Sequence, residues 1–438
     1  MTKEEKYKLA KWAMNHAIEK GADHARVSIS GNKSSDIDVR EKKIDTLKEA
    51  IQSKLTIHLY VDKKYSAIST NRLNQQELAR FIEEGIETTR FLAEDEFRTL
   101  PQPELYYKGD GPDLQGIDPD FDSVDAKTKI DMVFNVENEI YQKDERIISM
   151  TAGYSDGISS RIMVDSNGFE GDTASSYYYL NAQVTVNGGA ARPESFDYKS
   201  SILFSQLEKT GIAETALKRA LGKIGQTKID SGKYPMIVEN RMAGRILGPV
   251  ISALNGSAIQ QKNSFMIDKM DQSFGSSKLT LIDDPLIIGG RGSKLFDTEG
   301  IAMKKRSVFD AGVLKTYFID TYYGNKLGMA ANSGETSNLV LAPGSKDLDA
   351  MVKSLKKGIL VTGFNGGNCN SSTGDFSYGI DGFLIENGEM VKPVSEMNIT
   401  GNMHELWANL VEVGSDVRLD SSWRMPSLLF ANVDFSGM

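Results

Sequence analysis

The chain has 438 residues, 40% apolar and 25% charged, with a formal net charge of −9. That length exceeds one ordinary hydrophobic core and predicts two or three domains, in a composition that is globular and not disordered. An acidic chain is a poor stand-alone DNA binder, because DNA affinity rests on lysine and arginine neutralising phosphates.

The single cysteine, Cys369, excludes an internal disulfide and fits a reducing compartment. The charged start, Met1-Thr-Lys-Glu-Glu-Lys-Tyr-Lys8, leads into no apolar run of the secretory kind. No window approaches the roughly 18 apolar residues of a membrane span. A cytoplasmic location is therefore the expectation.

In chain order, Leu9, Trp12, Ala13, His16 and Ala17 fall on one helical face and predict a helix over 4–20, which Gly21 stops. Leu55, Ile57, Leu59 and Val61 alternate with polar partners, so 54–61 reads as a strand with His58 on its polar side. Asn74 caps a second helix, with Glu77 three residues on as in a capping box; its apolar stripe is Leu78, Phe81, Ile82 and Phe91. Residues 99–122 hold four prolines, three glycines and five aspartates without any period, and predict a long surface connection. A helix follows over about 124–142, with Ile130, Val133, Phe134 and Ile140 inward. Asn167-Gly168 between 161–165 and 175–186 marks a hairpin. A helix over 211–223 closes this half.

After a connection at 225–233 the pattern restarts, with a strand at 234–239 and a helix at 241–254. The remainder reads as strands near 279–283, 301–308, 313–319, 359–364, 376–386 and 390–400. Asp310-Ala-Gly312 and Asn387-Gly388 supply turns, and a short helix lies at 404–411. The fold class is α+β, with mixed and antiparallel sheets and flanking helices. Two domains are expected: an N-terminal α+β domain over 1–228, containing the 99–122 connection, and a strand-rich C-terminal domain over 229–438.

The residues offer little chemistry. The four histidines, His16, His24, His58 and His404, are never paired at three to five residues, and no Cys-x-x-Cys exists. His404-Glu405 opens like a zinc-peptidase motif, but Ala408 and Asn409 stand where a second ligand belongs. Gly289-Gly-Arg-Gly-Ser-Lys294 has glycines and cations but not phosphate-loop spacing, and reads as an ordinary glycine-rich loop. Asp283, Asp284, Asp297 and Glu299 are turn carboxylates beside Pro and Gly. Lys304-Lys305-Arg306 reads as a solvated basic face. Cys369 lies on a polar loop with no base nearby in sequence, and reads as an incidental thiol.

One string is specific. Gly374-Asp-Phe-Ser-Tyr-Gly379, Gly382-Phe-Leu-Ile-Glu-Asn-Gly388, Lys392-Pro-Val394, Ile399-Thr-Gly-Asn402 and Val413-Gly-Ser-Asp416 together resemble the C-terminal signature of the TldD/PmbA family, historically called modulators of DNA gyrase. Asn255-Gly256, Ser264-Phe265, Asp297-x-Glu-Gly300 and Val313-Leu-Lys-x-Tyr317 extend the likeness upstream, and Ala22-Asp-His-Ala-Arg-Val27 matches more loosely.

The family has two kinds of member. The TldD kind carries His-Glu-x-x-x-His on a helix, with a cysteine completing a zinc site. The TldE kind, also called PmbA, lacks the motif and pairs with the first. Here the corresponding helix, Arg241-Met-Ala-Gly-Arg-Ile-Leu-Gly-Pro-Val-Ile-Ser-Ala-Leu-Asn-Gly256, holds no ligand-type residue at the motif.

The resemblance implies a TldE/PmbA-like, zinc-less subunit of a cytosolic metallopeptidase acting on small or unfolded peptides. It implies no catalytic or metal residue in this chain, with zinc in a TldD-like partner. It also implies a candidate cleft or interface at Asn255, Gly256, Ser264, Phe265, Gly374, Asp375, Phe376 and Ser377. Self-association of the chain alone stays open. The older family name keeps a second reading in view, a regulatory protein acting on DNA gyrase through protein–protein contact.

Overall fold

The structure, a computed structural model, describes residues 1–437. The chain opens with helix α1 (Lys3–Glu19), started by a Thr2–Glu5 capping box. Strands β1 (His24–Arg40), β2 (Lys43–Val61) and β3 (Lys64–Thr70) follow, then α2 (Gln75–Thr89) and α3 (Ala126–Asn138). Strands β4 (Ile147–Asp165), β5 (Glu170–Val186) and β6 (Glu194–Ser201) and helix α4 (Ile212–Gly222) complete this region. Its six strands form one antiparallel sheet in the order β3-β2-β1-β4-β5-β6.

All four helices lie on one face of that sheet. The strands are long enough to need two cores. Leu9, Ala13 and Ala17 of α1 and Leu78 and Ile82 of α2 cover Val27, Ile29, Leu55 and Ile57. Val133 and Val136 of α3 and Ala213 and Ala216 of α4 cover Ile37, Val39, Tyr154 and Leu180. Along that helix side Lys129 pairs with the fully buried Asp156 at 2.7 Å.

The opposite face is polar. Register sets Lys54, Ser30, Arg161 and Thr173 in one rung across four strands, and Gln52, Asn32, Ser159 and Ser175 in the next. Gly157 lies opposite Tyr177, and a side chain at 157 would meet the Tyr177 ring at 2.6 Å. The glycine lets the aromatic ring lie flat on the sheet.

The second region runs β7 (Gly232–Val238), α5 (Asn240–Ala253), α6 (Gly256–Gln260), β8 (Leu281–Asp284), β9 (Arg306–Asp310), β10 (Val313–Leu314), α7 (Thr321–Leu327), β11 (Asn338–Leu341) and α8 (Leu348–Lys353). It ends β12 (Lys357–Cys369), β13 (Asp375–Glu386), β14 (Glu389–Asn402), α9 (Met403–Ala408), β15 (Leu410–Val413), β16 (Trp423–Arg424) and β17 (Leu428–Gly437). One sheet has the order β14-β13-β12-β7-β17-β15, and β14 also pairs with β17, so five of its strands close into a ring. The other, β10-β9-β8-β11-β16, is mixed, because β16 runs parallel to β11. The β13–β14 turn is Asn387-Gly388, both at positive φ (52° and 82°), the conformation that pairing favours. Buried residues from both sheets and from α5 and α9, including Ile246, Leu247, Phe309, Phe376 and Trp407, form one core.

Several expectations shift. Phe91 lies past the end of α2 and is 88% exposed, so it is not part of the buried stripe. Asn74 caps α2 through the Gln76 amide, and Glu77 does not close a box. Residues 301–305 are not strand, and the strand expected at 313–319 is only Val313–Leu314. Asp297 ties the turn before 301–305 by accepting from the amides of Glu299 and Ile301, and Ile301 and Ala302 make only isolated bridges, to Tyr106 and Phe296.

Candidate functional site

The helix singled out from sequence is α5. Its buried face is Ala243, Ile246, Leu247 and Val250, an apolar stripe against the core. Gly244 and Gly248 face the Trp423 ring. Pro249 inside the helix has no amide to return to the Arg245 carbonyl. Arg245 donates from Nη2 to the Gly367 carbonyl at 3.1 Å and lies 5.0 Å over the Tyr378 ring. The two elements named by the family likeness, α5 and the β12–β13 hairpin, therefore meet through an arginine and an aromatic ring.

That donor set does not fit a metal. Among the described residues no three His, Cys, Asp or Glu side chains converge in a way that would hold one. His16 contacts Glu83, His58 shares a hydrogen bond with the Tyr65 hydroxyl, His24 lies beside Ser166, and His404 is edge-on to Phe274. Cys369 is half-buried, its Sγ directed to the Asn370 carbonyl. Burial first, and the Asp375 charge second, push its thiol pKa up. A raised pKa favours the unreactive thiol over the thiolate.

The candidate cleft residues fall into a connected patch with distinct local roles. Asn255 caps α6 through the Ser257 amide, and Gly256 donates to the Phe318 carbonyl. Ser264 is buried, donating to the Ala253 carbonyl and accepting from the Met266 amide. Phe265 donates its amide to the Ser371 carbonyl at 2.9 Å and lays its ring against Gly374. Asp375 accepts from Thr373 Oγ1 at 2.7 Å and from Asn402 Nδ2 at 2.9 Å, bonds that hold its carboxyl below the ordinary range. Phe376 is 5% exposed and stacks on Tyr378, so its ring belongs to the core. Ser377 lies in the β13 ladder between Asn368 and Thr400.

The carboxylates and the basic run resolve into structure. Fully buried Asp283 accepts from the Ser337 amide and hydroxyl and from Arg306 Nε at 3.0 Å; Asp284 pairs with Lys305 at 2.9 Å. Lys304 and Lys305 stay on the exposed face, Lys305 in a surface pair, while Arg306 is engaged inside. The glycine-rich loop at 289–294 is no phosphate cradle. Five of its six amides are donated internally: Gly289, Gly290, Ser293 and Lys294 to carbonyls, and Gly292 to the Asn338 side chain.

Sequence reasoning missed a cleft of about 990 Å³ between that loop and the polar face of the first sheet, lined by the Arg161 and Ser159 rungs, Tyr177, Arg291, Lys294 and Glu335. A smaller cavity, which shares Lys294 and Glu335 with it, reaches Ser252 and Asn255 at the end of α5. Arg161 and Asp297, 136 residues apart, meet across the cleft. No local motif signals a wall assembled from both halves of the chain.

The chain is thus a two-region α+β protein with a strand ring packed on a helix that carries no metal ligands. Its sequence and structure match a known group. The profile of the PmbA/TldA metallopeptidase C-terminal domain matches residues 231–437, that of the central domain 119–224, and that of domain 1 25–89. Over 437 residues the chain is 25% identical to Metalloprotease PmbA of Escherichia coli O157:H7, covering 98% of this chain and 96% of that one. A solved protein of Bacteroides thetaiotaomicron VPI-5482, called a "putative modulator of DNA gyrase", is 50% identical over the whole of both chains with a TM-score of 0.98. TldE of Thermococcus kodakarensis superposes with a TM-score of 0.86 at 18% identity, over 98% of this chain and all of that one, a likeness of fold. The chain belongs to the PmbA/TldD family.

Proposed function

We propose that this chain is the zinc-less subunit of a two-subunit peptidase, active on peptides only when joined to a partner that carries His-Glu-x-x-x-His. The observation that carries this is α5. The helix that bears the motif in TldD-type members here presents Arg241, Arg245, two glycines and a proline, with an apolar buried face. Without about three protein ligands and an open position, nothing in the chain lowers the pKa of a water toward neutrality. The subunit then contributes a cleft wall and half an interface.

Membership of a metallopeptidase family and the likeness to PmbA- and TldE-named proteins support this reading. The gyrase reading rests on a relative's name, and no element of the fold favours it. Co-expression with a motif-bearing family member tests the proposal: a stable complex of defined stoichiometry on size-exclusion chromatography is expected. Two chains that elute separately at micromolar concentration would count against it.

A further inference from the structure

The large cleft carries a charge imbalance that the peptidase reading does not use. Each carboxylate on its wall is occupied. Asp113 accepts from the Gln115 amide. Asp172 is held by Lys3 and Tyr7. Glu335 accepts from Lys294 Nζ at 2.6 Å and the Thr298 amide at 2.9 Å.

Three of the four cations on the wall are different. Lys54, Arg161 and Arg291 have no carboxylate within ion-pair distance among the described residues, and only Lys294 is paired. Arg161 is the most sheltered of the three. Its one hydrogen bond is a long 3.4 Å contact to the Asp297 carbonyl. Burial pulls its pKa down and Arg26 adds to the fall; the Glu335 and Asp297 charges nearby oppose it without making an ion-pair contact. A sheltered guanidinium with most of its five donors unspent is costly unless an anion meets it.

We infer that this cleft is a carboxylate-binding subsite, in which Arg161 and Arg291 hold the carboxylate of an extended peptide on the polar face of the first sheet; this rests on the peptidase reading. Three features select that ligand. A planar guanidinium matches a carboxylate in bidentate fashion. The rungs beside Arg161 present Ser30, Asn32, Gln52 and Ser159, donors and acceptors that suit a peptide backbone, with the Tyr177 ring as a flat neighbour. The glycine-rich loop has spent nearly all its amides, so the wall lacks the backbone nest that phosphate seeks. The shared residues Lys294 and Glu335 lead from this cleft to Ser252 and Asn255, which points the rest of the peptide toward α5.

The test uses the purified full chain alone, with no partner and no cleavage, so it stands apart from the two-subunit proposal. A fluorescein-labelled eight-residue peptide of neutral side chains is titrated by anisotropy as the free acid and as the C-terminal amide. The acid should bind at least about tenfold more tightly than the amide, and Arg161→Gln and Arg291→Ala should each remove most of that preference. An amide peptide with one internal Glu distinguishes the source of the carboxylate. Arg161-dependent binding as tight as the acid's assigns the subsite to an acidic side chain; weak binding assigns it to the chain end. Equal binding of acid and amide would overturn the inference, as would acid binding unchanged in the Arg291→Ala protein, whose exposed site cannot perturb folding. Displacement of the peptide by inorganic phosphate at lower concentration than by acetate would overturn the carboxylate assignment.

Discussion

Arg219 and Glu239 face each other as a bidentate pair, Nη1 to Oε1 at 2.7 Å and Nη2 to Oε2 at 2.6 Å. Arg219 is on α4, at the end of the first region; Glu239 follows β7 at the N-cap position of α5 in the second. Both side chains are largely buried, at 24% and 12% exposure. The pair thus joins the polar-faced sheet's last helix to the helix at the candidate site. Arg219→Gln should lower stability by about 1–3 kcal/mol, because it leaves a sheltered carboxylate without its partner. The double variant Arg219→Gln with Glu239→Gln should recover part of that loss in urea denaturation. A double variant less stable than the sum of the two singles would show that the pair is not what couples the regions.

Acid should loosen the first sheet through His58 on β2. Burial, with Arg26 and Arg98 adding repulsion, pulls its pKa from 6.5 to about 3. The folded imidazole stays neutral while the unfolded one protonates near 6.5. Its stability contribution is therefore complete above about pH 6.5 and is lost as pH falls from there toward 3. Between pH 7 and 5 this one group should cost up to about 2 kcal/mol. His58→Gln should flatten the dependence of Tm on pH over that window. An unchanged slope would place the acid sensitivity elsewhere.

Cys369 should be dispensable. A half-buried thiol with a raised pKa and no imidazole beside it lacks what a nucleophile needs. Cys369→Ser should leave Tm unchanged and any partner-dependent cleavage within about twofold, and alkylation by iodoacetamide at pH 7 should be slow. A hundredfold loss of cleavage would make the thiol a participant.

Phe376→Ala should act through folding. The ring is 5% exposed and packed on Tyr378, so its loss should cost about 3–5 kcal/mol, read as an early melt. Asp375→Asn keeps the shape of the turn and tests the other half of the patch. A normally folded Asp375→Asn protein that binds its partner but supports cleavage poorly would place that carboxylate at the joint site. Full activity would leave it a hairpin tie.

Much of the fold was legible because helices advertise themselves. Leu9, Ala13 and Ala17, or Ile246, Leu247 and Val250, recur at helical spacing and are buried where they should be. The first half of β2 was not legible: Lys43–Lys54 is mostly exposed and polar, held as strand by its ladder to β1 rather than by an apolar face. Lys129 and Glu137 are buried on α3, which no apolar pattern announces. The family string named Phe265, Gly374, Asp375 and Asn402 but not their contacts, Phe265 with Gly374 and Asp375 with Asn402, which join separate segments of the chain. The cleft at Arg161 escaped because its opposite wall lies in the other half of the chain, and an arginine in a strand gives no local sign of being unpaired.

On the proposed function, cleavage chemistry resides in the motif-bearing partner and not in this chain. The most direct measurement is a peptide-cleavage assay on three metal-analysed samples: this chain, a motif-bearing family member, and their stoichiometric mixture. No stoichiometric zinc and no turnover are expected for this chain alone, and turnover is expected in the mixture, abolished when the partner's motif glutamate is replaced by glutamine. Zinc at one per chain together with turnover by this chain alone would contradict it.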